Sequence, residues 1–144
     1  MMTELSSESV HGSCVAINGE AVLIEGPSGS GKSDLALRLI DRGAILVSDD
    51  YTFVQRHKGA LQASAPATIK GQMEVRGLGI VPFNSIDSAP LALIVSISNQ
   101  PDRLPLEVRH RRLCGMEVPL IQLPALEPSA PIKVELALKH RSEP

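Results

Sequence analysis

Gly26-Pro-Ser-Gly-Ser-Gly-Lys-Ser33 fits the pattern G-x-x-x-x-G-K-[ST], whose parts serve separable needs of phosphate binding. Gly26, Gly29 and Gly31 permit backbone angles and close approaches that side chains would obstruct, and Pro27, Ser28 and Ser30 complete a loop whose N–H groups can converge on phosphate oxygens. Lys32 supplies a point charge and Ser33 a hydroxyl able to ligate magnesium. A helix opening after the loop would add free N–H groups and a favourable dipole. Nucleotide phosphate is the leading ligand.

Three further residue groups could act beside such a phosphate. Asp49 and Asp50 end an apolar run, where one or both could position magnesium or take a proton. Neighbours in an extended segment point to opposite faces, so the two carboxylates are expected to differ in role, with Asp50 as the base toward a hydroxyl. Glu74 and Arg76 flank Val75 and would share one face of an extended segment, pairing a metal-bound phosphate with a phosphate clamp. His11 stands just before the first expected strand and carries little weight alone.

The elements that must position these groups follow from local pattern. Val10 to Glu25 reads as two strands joined around Asn18-Gly19, a tight-hairpin pair. Asp34 to Arg42 carries Leu35, Ala36, Leu39 and Ile40 on a helical stripe that Gly43 stops. Ala44 to Ser48 returns as a buried strand. From Tyr51 to Val81 short strands alternate with turns at Lys58-Gly59 and Lys70-Gly71, which points to a mixed sheet rather than repeated strand–helix units. Leu91 to Ile97 is a further strand, followed by Pro101 and a charged connection. Val118 to Leu123 is expected at an edge because Pro119 lacks a ladder donor. Ile132 to His140 has a short helical pattern, with Val134, Leu136, Ala137 and Leu138 available to cover the sheet, and Pro124, Pro128 and Pro131 punctuate the connection before it.

A chain of 144 residues suits one domain with a substantial core. Its net charge of -2, from 14 Lys plus Arg against 16 Asp plus Glu, argues against general nucleic-acid binding. One Tyr, two Phe and no Trp leave little for an aromatic base-stacking platform. The His110-Arg111-Arg112 cluster could meet an anionic partner or form a solvated loop. Cys14 and Cys114 lack metal-ligand spacing, no signal peptide opens the chain and no stretch reads as a membrane span, so a reduced cytoplasmic protein is expected. His11, His57, His110 and His140 form no compact zinc motif.

His11-Gly12, the loop through Lys32-Ser33, Val47-Ser48-Asp49-Asp50, the string Met73-Glu-Val-Arg-Gly-Leu-Gly-Ile80 and Asp102-Arg103-Leu104 together resemble the catalytic domain of the bacterial HPr kinase/phosphorylase family. The resemblance implies a mixed α/β sheet carrying the phosphate loop, akin to phosphoenolpyruvate carboxykinase, with flanking helices. It implies a serine kinase that uses ATP and Mg2+ to phosphorylate an HPr-type phosphocarrier of the sugar or nitrogen-related phosphotransferase system, with phosphorylase activity as the reverse. By that resemblance Gly26 to Ser33 binds ATP phosphates, Lys32 stabilises transferred charge, and Ser33 and Glu74 serve magnesium. Asp50 exchanges the serine proton, His11 orients phosphate or Asp50, and Arg103 is the catalytic arginine. Asp49 joins the metal set and Arg76 the nucleotide set.

Residues 1–144 are expected to form a single catalytic domain without the N-terminal domain of longer relatives, similar to a short form known from some alphaproteobacteria. The hexamer of long forms does not carry over, which leaves oligomeric state open. Long relatives often carry an arginine-containing loop associated with phosphorolysis where this chain has Pro124-Ala-Leu-Glu-Pro-Ser129, so the reverse reaction is expected to be weaker. A small-molecule kinase and a nucleotide-dependent interaction module remain as alternatives, and a carboxykinase is a more distant one.

Overall fold

Asn18 and Gly19 take φ values of 51° and 83°, and the two-residue turn they make joins strand β1 (Ser7–Ile17) to β2 (Glu20–Glu25). Two positive φ angles match the turn to the right-handed twist of the strands, which is why Asn-Gly marks hairpins. The computed structural model describes residues 6–100 and 109–140. After β2 come helix α1 (Lys32–Asp41) and the strands β3 (Ile45–Ser48), β4 (Tyr51–His57), β5 (Ala60–Ser64), β6 (Gln72–Val75), β7 (Gly79–Pro82), β8 (Ser88–Ile97), β9 (Arg109–Leu113) and β10 (Met116–Leu123). Helix α2 (Ala130–His140) closes the described chain, and a single 3-10 turn (Ala67–Ile69) precedes β6.

Two long strands belong to two sheets at once. Ser7 to His11 of β1 pair with β4, whereas Gly12 to Ile17 pair with β2; likewise the first residues of β8 pair with β5 and its remainder lies parallel to β2 and β10. One sheet is therefore antiparallel, and the other is mixed. Alternation along β1 sends Cys14 and Ala16 into the core between the sheets and Val15 into the core beneath the helices. Leu35, Ala36 and Leu39 of α1 and Ala130, Val134 and Leu138 of α2 fill that second core, and Arg42 ties the helices through Glu135 at 2.7 Å. The α/β mixed sheet with flanking helices is as expected, although Leu136 turns outward at 52% exposure.

The strands depart from expectation in two places. β10 lies between β8 and β9 and is not an edge. Pro119 is tolerated because pairing with β8 begins only at Leu120, so position 119 has no β8 neighbour to receive a donor. The charged run at 109–112 forms a strand rather than a loop: β9 pairs with β10 through a turn at Cys114 (φ 48°) and Gly115 (φ 80°). Arg111 reaches Glu25 at 2.5 Å and Arg112 reaches Glu117 at 3.2 Å. β6 and β7 form a separate two-stranded sheet, anchored to the helix-side core by buried Met73. Among the described residues no helix is long and apolar enough to cross a membrane.

Candidate functional site

The glycine-rich loop occupies the connection from β2 to α1. The Ser30 N–H donates to the Pro27 carbonyl at 3.1 Å, and the Leu35 N–H donates to the Gly31 carbonyl at 2.9 Å to begin the helix. Gly31 has φ 101° at the helix start, a conformation that L side chains rarely adopt, and a Cβ there would also lie 3.1 Å from that of Ala125. Lys32 is buried, and its Nζ donates to the carbonyls of Gly26 (2.8 Å) and Pro27 (3.0 Å). Ser30 Oγ is buried without a hydrogen-bond partner. A helix start with free N–H groups, an orphaned hydroxyl and a lysine held by neutral carbonyls together suit an anion.

Around this loop lies a cavity of about 770 Å³, lined by Ser28, Gly29, Gly31, Lys32 and Ser33 from the loop and helix start. His11 of β1, Asp49 and Asp50 between β3 and β4, and Glu74, Val75 and Arg76 at the end of β6 line it as well. Gly26, Pro27 and Ser30 support the loop without lining the cavity, while Arg103 lies outside the described residues.

Asp49 and Asp50 both face the cavity, contrary to the opposite faces expected of a regular strand. Asp50 has φ 69°, and the Tyr51 N–H donates to the Asp49 carbonyl at 2.8 Å, so Asp50 is the central residue of a γ-turn with positive φ, a rare and strained conformation. Gly12 N–H donates to the Asp50 carbonyl at 2.8 Å and Thr52 Oγ1 donates to the Gly12 carbonyl at 3.0 Å, which holds the turn against β1. A Cβ on Gly12 would lie 2.6 Å from the Ile24 carbonyl oxygen, so glycine is required for that close approach.

The two acids nonetheless differ in environment. Asp49 is buried: its Oδ1 accepts from Ser13 Oγ at 2.9 Å and Ser33 Oγ at 2.7 Å, and its Oδ2 accepts from the Glu74 N–H at 3.3 Å. Asp50 is exposed and meets His11 Nε2 at 3.2 Å. His11 lies within β1 rather than before it, opposite Tyr51, with the two rings 5.1 Å apart. Arg76 stands in the turn after β6, closed by the Leu78 N–H to Val75 carbonyl bond at 2.9 Å, so it reaches the cavity beside Glu74 without strand alternation.

Ser13 and Thr52 were not singled out from the sequence. The signal for Ser13 was a small polar side chain at the head of the apolar run Cys14-Val15-Ala16-Ile17, at a two-residue offset from His11, whereas Thr52, in a strand of mixed composition, carried none. Glu127 turns to Lys133 at 2.9 Å, and it is neighbouring Leu126 that lines the cavity. Arg38 fastens this segment by donating to the carbonyls of Ala125 and Glu127. Burial pushes the Cys14 thiol upward, and burial followed by Glu8 does so for Cys114; neither lines the cavity, and a buried thiol of this kind is a poor nucleophile. Among the described residues no group of three or more His, Cys, Asp or Glu side chains is arranged to hold a metal. A cation beside Ser33 would complete its shell with oxygens from a ligand or water.

Comparison with known proteins gives one consistent result. The family described as HPr Serine kinase C-terminal domain matches residues 3–137. Relatives named HPr kinase/phosphorylase include those of Chlorobium luteolum, 36% identical over 81% of this chain and 40% of the relative, and Alkaliphilus metalliredigens, 34% identical over 93% and 47%. The chain thus spans less than half the length of these curated relatives. The solved HPr(Ser) kinase/phosphatase of Coxiella burnetii is similar in structure, with a TM-score of 0.80 and 28% identity, over 93% of this chain and 90% of that one.

Proposed function

The chain belongs to the HPr serine kinase C-terminal domain family, and from that premise we propose that it is the catalytic domain of an ATP- and Mg2+-dependent kinase acting on a serine of an HPr-type phosphocarrier. The fold is read as the phosphoenolpyruvate-carboxykinase-like type with a phosphate loop. The observation that carries this reading is one cavity shared by Lys32 and Ser33 on one side and by His11 and Asp50 on the other. That juxtaposition is what phosphoryl transfer to a hydroxyl needs: an anion cradle beside a base.

Gly26 to Ser33 would hold the ATP phosphates, and Ser33, Asp49 and Glu74 would serve magnesium. ATP supplies the transferable phosphoryl group and magnesium offsets its charge. Lys32 leaves its two carbonyl partners to meet negative charge, a hydrogen-bond exchange that strengthens as charge develops. Asp50 accepts the proton of the acceptor serine, with His11 at 3.2 Å orienting its carboxylate. Arg76 and Arg103 complete the clamp. In the reverse direction Asp50 returns the proton to the leaving serine oxygen, and the segment 124–129, which holds no cation, makes that direction the weaker one.

A protein acceptor is favoured over a compact molecule by the rim of the cavity. Leu78 and Ile80, beside the lining glycines 77 and 79, are 77% and 70% exposed, and Leu126, next to Gly31 of the loop, is 73% exposed. Apolar side chains placed in water around a charged cavity suit a partner that covers them. The test is mass spectrometry of HPr-type phosphocarriers, both sugar and nitrogen-related, after incubation with the protein, ATP and magnesium. Phosphate on one serine is the expected result; nucleotide binding with no phosphorylated acceptor would reject the kinase reading in favour of a nucleotide-dependent interaction module.

A further inference from the structure

The face of β1 that places His11 beside Asp50 places Ser13, two residues on, beside Asp49. Ser13 is fully buried, in a strand whose following residues are apolar and buried, and its hydroxyl donates to Asp49 Oδ1. Packing alone would be met there by alanine, so the hydroxyl calls for a reason of its own. Its partner oxygen is the one that also accepts from Ser33 Oγ at 2.7 Å, while Asp49 Oδ2 takes the Glu74 N–H. Asp49 is thereby held from β1, α1 and β6 together.

A serine hydroxyl has one proton and two lone pairs. With its proton committed to Asp49, the lone pairs of Ser33 are free for a cation in the cavity that Ser33 lines. We propose that Ser13 is a positioning residue for that cation: by donating to Asp49 it fixes the carboxylate that sets the Ser33 hydroxyl. The proposal rests on the nucleotide and magnesium reading above. Without the Ser13 hydroxyl, Asp49 loses one of three anchors and can rotate away from Ser33. Outer partners that orient metal ligands act on metal affinity in this way.

The experiment is calorimetric titration of ADP into the wild type, Ser13→Ala and Ser13→Cys, in EDTA and across a magnesium series, with urea unfolding measured in parallel. For Ser13→Ala, affinity in EDTA is expected to stay within about twofold, while the magnesium concentration for half-maximal tightening rises about tenfold to a hundredfold. Ser13→Cys, of similar size but a weaker donor, should fall between, and it carries the test where the alanine variant does not fold. An unchanged magnesium requirement in a variant of lowered stability would assign Ser13 a purely structural role and overturn the proposal, as would an equal loss of affinity with and without magnesium. Wild-type protein that shows no magnesium-dependent nucleotide binding would overturn the functional reading, and this proposal with it.

Discussion

The cavity has a buried half and an open half, and they are built by different rules. In the buried half Ser13, Ser33 and the Glu74 N–H converge on Asp49, and Lys32 is satisfied by two backbone carbonyls. In the open half His11 and Asp50 form a pair whose side chains are 41% and 65% exposed, and Glu74 and Arg76 extend toward solvent. A buried polar group costs stability when its partner is removed, whereas an exposed one exchanges that partner for water. Geometry is set from the buried half, and the groups of the open half can change partners when a ligand arrives.

That contrast breaks most visibly at Asp50. Asp50→Asn keeps the size of the side chain and removes the proposed base, so serine transfer should fall about 10²- to 10⁴-fold. Because the residue is exposed, the unfolding free energy read from urea curves should stay within about 0.5 kcal/mol of wild type. Steady-state transfer rates and unfolding curves on one preparation check both halves of the statement; near-wild-type transfer would remove Asp50 from its role.

The opposite balance is expected at Asp49. Asp49→Ala leaves the fully buried Ser13 hydroxyl and the Glu74 N–H without an acceptor, at a cost of about 1–3 kcal/mol of stability. Urea unfolding measures this in the absence of nucleotide. A loss no larger than that of Asp50→Asn would erase the distinction between the two halves.

What the sequence made legible was what local chemistry decides. The Asn18-Gly19 hairpin, the stripe of α1 and the stop at Gly43 follow from residue-specific backbone freedom and period, and the glycine-rich segment joins β2 to α1 as a loop. The orientation of Asp50 was not legible, because the positive φ at this aspartate goes with a turn that Gly12 of the distant β1 holds, through its bonds to the Asp50 carbonyl and to Thr52 just after the turn. β9 was missed for a related reason. Four of its five residues are charged or histidine, so no apolar alternation marks it, and its hairpin turns on Cys114-Gly115 rather than on a pair with an obvious turn preference. Pro119 misled because a strand can be central at one end and unpaired on one side at the other. Site geometry that depends on two distant segments meeting is a tertiary fact.

The smallest effect tests the strain itself. Comparing Asp50→Gly with Asp50→Ala removes the carboxylate and its exposed pair with His11 in both, so the difference isolates the backbone. In ordinary strand or helix positions glycine is the less stable of the two by about 0.5–1 kcal/mol, because it gives up more freedom on folding. At φ 69° the order should invert, since a Cβ in the left-handed region costs about 1–2 kcal/mol that glycine does not incur. The glycine variant is therefore expected to be the more stable by up to about 1 kcal/mol, read from paired urea curves at equal slope. If alanine proves the more stable, the turn at Asp50 relaxes at no cost and the residue is not held under strain. If glycine does, this chain gives up stability at one exposed position to bring a second carboxylate onto the face where His11, Ser13 and Asp49 already stand, and the open half of the cavity is positioned by its backbone where the buried half is positioned by its side chains.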